Sequence, residues 1–452
     1  MLQNSDGSFS YNYYNVDSIY DYLLSIGVRP LVELSFMPGY LAQCGPWAPH
    51  KKFTYPPICP TQMHYRGIKT PPKNGPNATT YNWTLWGDLI EDFATHLVGR
   101  YGIDEVSTWI FEVWNEQMGM GYSEGLYLPL YDAAYDALRR VSPRLHVGGP
   151  VSKRCELLTD FVRDEAGRFD FVSTHLYPTD GNCTAGGAKA HSPHCFSDTV
   201  IKARAAVPKD TPFYLTEYNA GLDNSELLYS SYAAGFVFDN IPRLAGLGVD
   251  IWSYWTFSDV FEESGMHAAP FSGFNYGIQT IRGVPKPVYR AFQLLRSAST
   301  SQLPVKINGG GRVNAFATAA DVLTASPMQI FISNFVVEGW NITSSSVDVV
   351  VEGMFQAACE SSIANEWTRL DSTHGNPHAA WAAMGRPSYP TAVQIETLRA
   401  VSEIVWERIS GTWSSSTRNS NDRGSSSGNG GRCAFELPAK LEAHSVAVLR
   451  LH

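Results

Sequence analysis

Two glutamates stand out by position. Glu116 closes the run Trp109–Gln117, W-I-F-E-V-W-N-E-Q, and Glu217 closes Y-L-T-E-Y-N. Each run is rich in the aromatic and β-branched residues that suit a packed, pleated surface. Each then ends in a carboxylate. Two carboxylates across a cleft are what hydrolysis of a glycosidic bond requires: one protonates the leaving oxygen, the other attacks the anomeric carbon or activates water. A single strand-end Glu reads equally as a structural salt bridge. Two in matching positions point to chemistry.

The neighbours extend this candidate set. Asn115 and Glu116 point to opposite faces in a regular strand. Both reach one cleft only if the strand bulges or ends there, and Asn115 is then a candidate to bond a sugar hydroxyl. His175 and Tyr177 are two residues apart and share a face at the end of another apolar run. They are candidates for substrate binding, with a packed structural His as the alternative. Trp255 ends a further run and is a candidate stacking floor for a sugar ring. Glu262 and Glu263 follow it, either to bind hydroxyls or to stay solvated. No glycine-rich phosphate loop sits at a strand–helix junction and no C-x-x-C is present, so neither a cofactor nor a metal is expected.

These residues need a frame. Strands are predicted at residues 31, 109, 145, 169, 212 and 250, with helical periodicity between them. Such alternation predicts parallel βα units. Length and rhythm favour an α/β fold of the TIM (β/α)₈ type, with both glutamates at the C-terminal rim. Only six of the eight strands are present, so the first two are expected to precede Met1. That also accounts for the polar start Met1–Phe9, which is unlike a signal peptide. Residues 1–298 are thus expected to be an N-terminally incomplete barrel. After about residue 300 the texture changes to short alternating runs such as Q-I-F-I-S-N-F and H-S-V-A-V-L-R-L. This predicts a C-terminal all-β sandwich over 299–452, with Arg418–Gly431 as a mobile Gly/Ser-rich loop.

Composition narrows the partners. With 44% hydrophobic and 17% charged residues over 452 positions, the chain can bury a large core and is not globally disordered. A net charge of −9 argues against nucleic acid and anionic membranes. No stretch approaches the ~20 apolar residues of a membrane span. Cys44/Cys59 and Cys183/Cys195 bracket loops, and Cys359/Cys433 bracket much of the C-terminal region, leaving Cys155 as the odd cysteine. Together with N-x-[ST] sequons at Asn77, Asn82, Asn182 and Asn341, this predicts a disulfide-bonded glycoprotein of the secretory pathway, secreted, lysosomal or vacuolar.

The motifs F-E-V-W-N-E-Q, F-V-S-T-H-L-Y-P, F-Y-L-T-E-Y-N and S-Y-W-T-F-S-D-V-F-E-E resemble, in order, those of glycoside hydrolase family 39, which includes β-xylosidases and α-L-iduronidases. P-L-V-E-L-S-F-M-P is similar to that family's third barrel strand, and T-H-G-N-P-H-A-A-W-A-A-M-G-R-P to a stretch of its C-terminal β-domain. The resemblance implies a retaining glycosidase acting on an oligosaccharide or glycoside, with Glu116 as acid/base and Glu217 as nucleophile. Glu217 then has to be ionised and Glu116 protonated, and the pair should lie ~5–5.5 Å apart. Three departures are visible. Gln117 replaces the family's proline in N-E-P, the first two strands have no counterpart, and Ala220-Gly221-Leu222-Asp223 stands where the family tends to place a tyrosine. The loop carrying Asp259, Glu262 and Glu263 would repel a uronate, so a β-xylosidase-like specificity is expected. An α-L-iduronidase-like enzyme and a non-catalytic carbohydrate-binding relic are the alternatives.

Overall fold

Six apolar runs pair side by side in chain order. The computed structural model describes residues 2–6, 8–35, 83–117, 122, 125–180, 192–222, 225–260, 269–271, 275–309, 312–320, 327–355, 365–416 and 432–452. Strands β1 (Leu31–Leu34), β2 (Ile110–Val113), β3 (His146–Ser152), β4 (Phe171–Leu176), β5 (Phe213–Tyr218) and β6 (Ile251–Tyr254) form one curled sheet in the order β1-β2-β3-β4-β5-β6. The pairs β1–β2, β2–β3 and β3–β4 are parallel. Among the described residues this sheet has the six strands counted in the sequence, not the eight of a closed barrel.

The chain divides into two compact units. The first comprises Met1–Leu176, Lys202–Glu217 and Gly248–Trp252, the second Tyr177–Ile201, Tyr218–Leu247 and Ser253–His452. In the first unit the central strands are buried on both faces: every residue of β4 is buried, as are Phe111, Glu112 and Val113 of β2. That is why these strands read as continuous apolar runs. Helix α1 (Tyr14–Ser25) precedes β1, and Gly27 turns the chain beyond it at φ 75°. Helix α2 (Trp83–Tyr101) buries Trp86, Gly87, Ile90, Ala94 and Leu97, one stripe at helical spacing. Gly87 lets it approach helix α3 (Tyr127–Val141), since a Cβ there would sit 3.3 Å from the Ala133 carbonyl oxygen.

The second unit contains two antiparallel sheets. One has six strands: β7 (Ser301–Leu303), β8 (Val313–Ala319), β9 (Met328–Asn334), β11 (Asn365–Leu370), β12 (Glu407–Ile409) and β15 (Ser445–Leu451), in the order β12-β11-β15-β9-β8-β7. The other pairs β10 (Ser345–Phe355), β14 (Arg432–Leu441) and β13 (Thr412–Ser416). They share a core in which Ile330, Ile332, Leu449 and Leu451 meet Val351, Phe435 and Leu437. The alternate residues Phe331, Val446 and Val448 pack instead with Ala234, Phe238, Ala291 and Leu294 of two helices, Ser231–Leu244 and Pro287–Arg296. The period of two along each strand thus serves two cores.

The all-β expectation is corrected in one place. The stretch N-P-H-A-A-W is a helix, Pro377–Ala383, and a second helix spans Ala392–Val401. The local signals are capping residues. Asn376 accepts from the Ala379 N–H with Pro377 in the first turn, and Thr391 and Gln394 form a capping box. The expected mobile loop at 418–431 lies outside the described residues. So does at least one member of each expected disulfide pair, while Cys155 stands outside any disulfide. No helix among the described residues is long and apolar enough to cross a membrane.

Candidate active site

Strand β2 stops at Val113, and the backbone then turns through left-handed conformations at Trp114 (φ 74°), Glu116 (φ 50°) and Gln117 (φ 52°). Each non-glycine residue held there costs of order 1–3 kcal/mol, so surrounding packing must enforce the turn. Trp114 is fully buried, and Gln117 Nε2 donates to the Pro150 carbonyl at 3.2 Å. The strand therefore ends before Asn115 and Glu116 rather than running through them. Asn115 is buried, and its Oδ1 has no hydrogen-bond partner among the described residues.

Three of the expected site residues converge in the first unit. His175, near the end of β4, lies with Nδ1 3.2 Å from Glu116 Oε1 and 3.6 Å from Glu217 Oε2. One oxygen of each carboxylate and a ring nitrogen all lie within 4.8 Å of one another. Both glutamate side chains keep 13% of their surface open to solvent, whereas His175 keeps 1%. Burial alone would depress the imidazole. The Glu217 charge, the hydrogen bond to Glu116 and the Glu112 charge outweigh it and lift His175 to about 10. At neutral pH the ring is an imidazolium whose Nδ1–H is directed at both carboxylates.

Two further carboxylates were not singled out from sequence. Glu112 of β2 is fully buried, and β-sheet register sets it opposite Glu33 of β1. Burial pushes Glu112 up to about 7; the His175 charge pulls it down and Glu33 pushes it up. Glu33 keeps an open path to solvent, yet protein crowding its carboxyl holds it above the ordinary range against the Ser35 hydrogen bond. The available signal was a lone acid inside each of the apolar runs L-V-E-L and I-F-E-V.

Glu116, His175 and Glu217 are the described residues whose atoms converge closely enough for a cation. With its ring protonated, His175 instead offers the two carboxylates a shared N–H donor.

Other expected residues fall in the second unit. Tyr177 is buried, with its backbone N–H donating to Asp180. Trp255 is partly buried; its N–H donates to the Tyr218 carbonyl at 2.8 Å and its carbonyl accepts from Asn219. Glu262 and Glu263 lie outside the described residues. The expectation that Asp259 repels a uronate is corrected: it is buried and ion-paired with Lys286 at 2.7 Å. A carboxylate so neutralised presents little field to a ligand.

The description of glycosyl hydrolases family 39 matches residues 1–419 of the 452. The chain belongs to this family. As a member of family 39 it is a glycosidase that hydrolyses O-glycosyl bonds. It is 35% identical over 426 residues to a β-xylosidase of Caldicellulosiruptor saccharolyticus, covering 90% of this chain and 80% of that one. To an α-L-iduronidase of Canis lupus familiaris it is 25% identical over 375 residues, covering 71% and 55%. Among solved structures, a monomeric β-xylosidase from Caulobacter crescentus CB15 superposes with a TM-score of 0.69 at 23% identity, covering 99% of this chain and 86% of that one. That likeness bears on the fold. Where the N-E-P pattern of family 39 has proline, Gln117 holds a φ of 52° that proline, fixed near −65°, cannot adopt.

Proposed function

We propose that this family 39 member is a retaining, β-xylosidase-like exo-glycosidase. The observation that carries this reading is the convergence of Glu116 and Glu217 on His175, one oxygen of each carboxylate lying within 4.8 Å of the other. So close an approach suits the narrow spacing of retaining pairs, whose carboxyl groups lie ~5–5.5 Å apart, better than the ~6.5–9.5 Å that leaves room for water in inverting ones. In the first step a Glu217 oxygen attacks the anomeric carbon, the glycosidic C–O bond breaks, and Glu116 gives its proton to the departing oxygen. In the second, Glu116 takes a proton from water, whose oxygen displaces Glu217 from the sugar. Asn115, with its buried and unpartnered Oδ1, suits a hydroxyl of the sugar beside the scissile bond. His175 keeps the two carboxylates together by offering one positive charge to both. The curled six-stranded sheet fits the C-terminal six strands of a (β/α)₈ barrel, with residues 299–452 as its sandwich domain.

The 35% identical β-xylosidase relative supports a pentose substrate. One observation keeps the iduronidase-like reading in play: Lys286 neutralises Asp259, removing one of the three negative charges held to repel a uronate. Hydrolysis of aryl β-xyloside against aryl α-iduronide decides. We expect turnover of the xyloside with retention at the anomeric carbon, followed by NMR. Turnover of the iduronide alone selects the second reading. Turnover of neither, with bound sugar detected, would sink both and favour the relic.

A further inference from the structure

Glu112 has no role in the two steps above, yet the fold encloses it completely. It lies four residues before Glu116 on β2, at 1% exposure. Sheet register sets it beside Glu33 of β1 and Gly148 of β3, and Gly148 beside Phe171 of β4. Ser173 and His175 follow Phe171 at steps of two and so share that face of the sheet, and the charges of His175 and Glu33 act on the Glu112 carboxyl, as its own charge acts on Tyr127 of helix α3. His175 in turn faces Glu217 and Glu116. Tyr127 donates its own hydroxyl to the Val113 carbonyl at 3.1 Å. Glu112 Oε1 and His175 Nε2 are both buried with no hydrogen-bond partner among the described residues. A carboxylate kept only for packing would be matched by a cation or replaced by an apolar side chain, because an unmatched buried charge is costly. This one adds negative charge to a cluster holding a single cation.

We propose that Glu112 is a positioning residue that, acting through His175, extends the alkaline side of the pH range in which the Glu116–Glu217 pair works. The proposal rests on the retaining reading of that pair. Above its midpoint Glu112 is an anion. It then supports the imidazolium and opposes loss of a further proton from the cluster, since like charges disfavour ionisation. Below its midpoint it is neutral and exerts neither effect. Its rise to about 7 places that change within the neutral range. Glutamine at 112 mimics the neutral form at every pH.

The test is the pH dependence of kcat/KM for Glu112→Gln, together with an NMR titration of the His175 ring. We expect the alkaline limb to move to lower pH by about one unit, the size typical of a nearby buried charge. The two profiles should converge on the acid side, where the wild-type carboxyl is also neutral. The loss should fall on kcat, with KM within about two-fold, because Glu112 is sealed from substrate. The His175 midpoint should fall as well. If the limb and the ring midpoint both stay put in folded Glu112→Gln, or activity drops by one factor at all pH values, the proposal is overturned. Should that variant fail to fold, Glu112→Met fills a similar volume with neither charge nor buried amide; it should shift the limb the same way, and an unmoved limb there also overturns the proposal. The ring titration needs no turnover. If no aryl glycoside is cleaved the retaining reading fails, while the NMR midpoints still decide whether Glu112 controls His175.

Discussion

Two buried charge clusters in this chain are built on opposite plans. In the second unit Lys286, fully buried, meets Asp259 at 2.7 Å and donates to the Asn275 carbonyl at 2.7 Å. Its ammonium lies 4.8 Å from the Tyr229 ring centroid, and the Gly277 N–H donates to the same Asp259 oxygen at 2.9 Å. One cation answers one anion. In the first unit His175 faces Glu116, Glu217 and Glu112, with Glu33 beyond. One cation answers several anions. A balanced pair is what a fold uses to pin a loop. An unbalanced group of carboxylates is costly to fold and is what acid–base chemistry needs.

The contrast breaks first at the unbalanced cluster. Glu217→Ala should lower kcat by on the order of 10⁴ or more, as loss of a nucleophile does. Glu116→Ala should cost about 10²–10⁴ on substrates with poor leaving groups, and far less on activated aryl glycosides, whose leaving oxygen needs no proton. Steady-state kinetics with both substrate types separates the two roles. Equal losses on both substrate types for Glu116→Ala would refute its assignment as the acid.

The balanced pair should respond in stability instead. Lys286→Met leaves Asp259 buried and unpaired, which costs about 3–5 kcal/mol, read as a lower urea midpoint. The double variant Lys286→Met/Asp259→Leu should recover most of that loss, because apolar replacement of a whole buried pair is often neutral or better. A double variant as unstable as the single one would mean that the pair does more than pin its loop.

How much of this was legible in the sequence follows from which signals are local. The six strands, the helices between them and the Glu116–Glu217 pairing could be read because apolar periodicity and strand-end carboxylates are properties of short stretches. For Glu112 the lone acid within I-F-E-V was the only local mark, because β2 is buried on both faces and its alternation marks no inner side. The Asp259–Lys286 pair spans 27 residues of chain, so Asp259 looked like a loop acid open to ligand. The helices at Pro377–Ala383 and Ala392–Val401 were lost among strands, although Asn376-Pro377 and the Thr391/Gln394 box announce their starts. The left-handed turn after β2 is imposed by the packing of Trp114 and the bond from Gln117, and no propensity of those residues foretells it.

That turn gives the smallest expected effect and the finest test of how the unbalanced cluster is held. Gln117 keeps φ at 52° and bonds the Pro150 carbonyl, one residue after Glu116, the proposed acid. Gln117→Ala removes the hydrogen bond, worth about 1 kcal/mol, and keeps the left-handed penalty of an L-residue. Gln117→Gly removes the same bond but relieves a penalty of about 1–2 kcal/mol, since glycine takes positive φ without a clash. The glycine variant should therefore melt near the wild type and the alanine variant below it. Both should lose a few-fold in kcat, because Glu116 is then held less firmly against His175. If alanine and glycine melt together, the turn carries no strain, and the first unit's cluster is held by its charges rather than by its backbone.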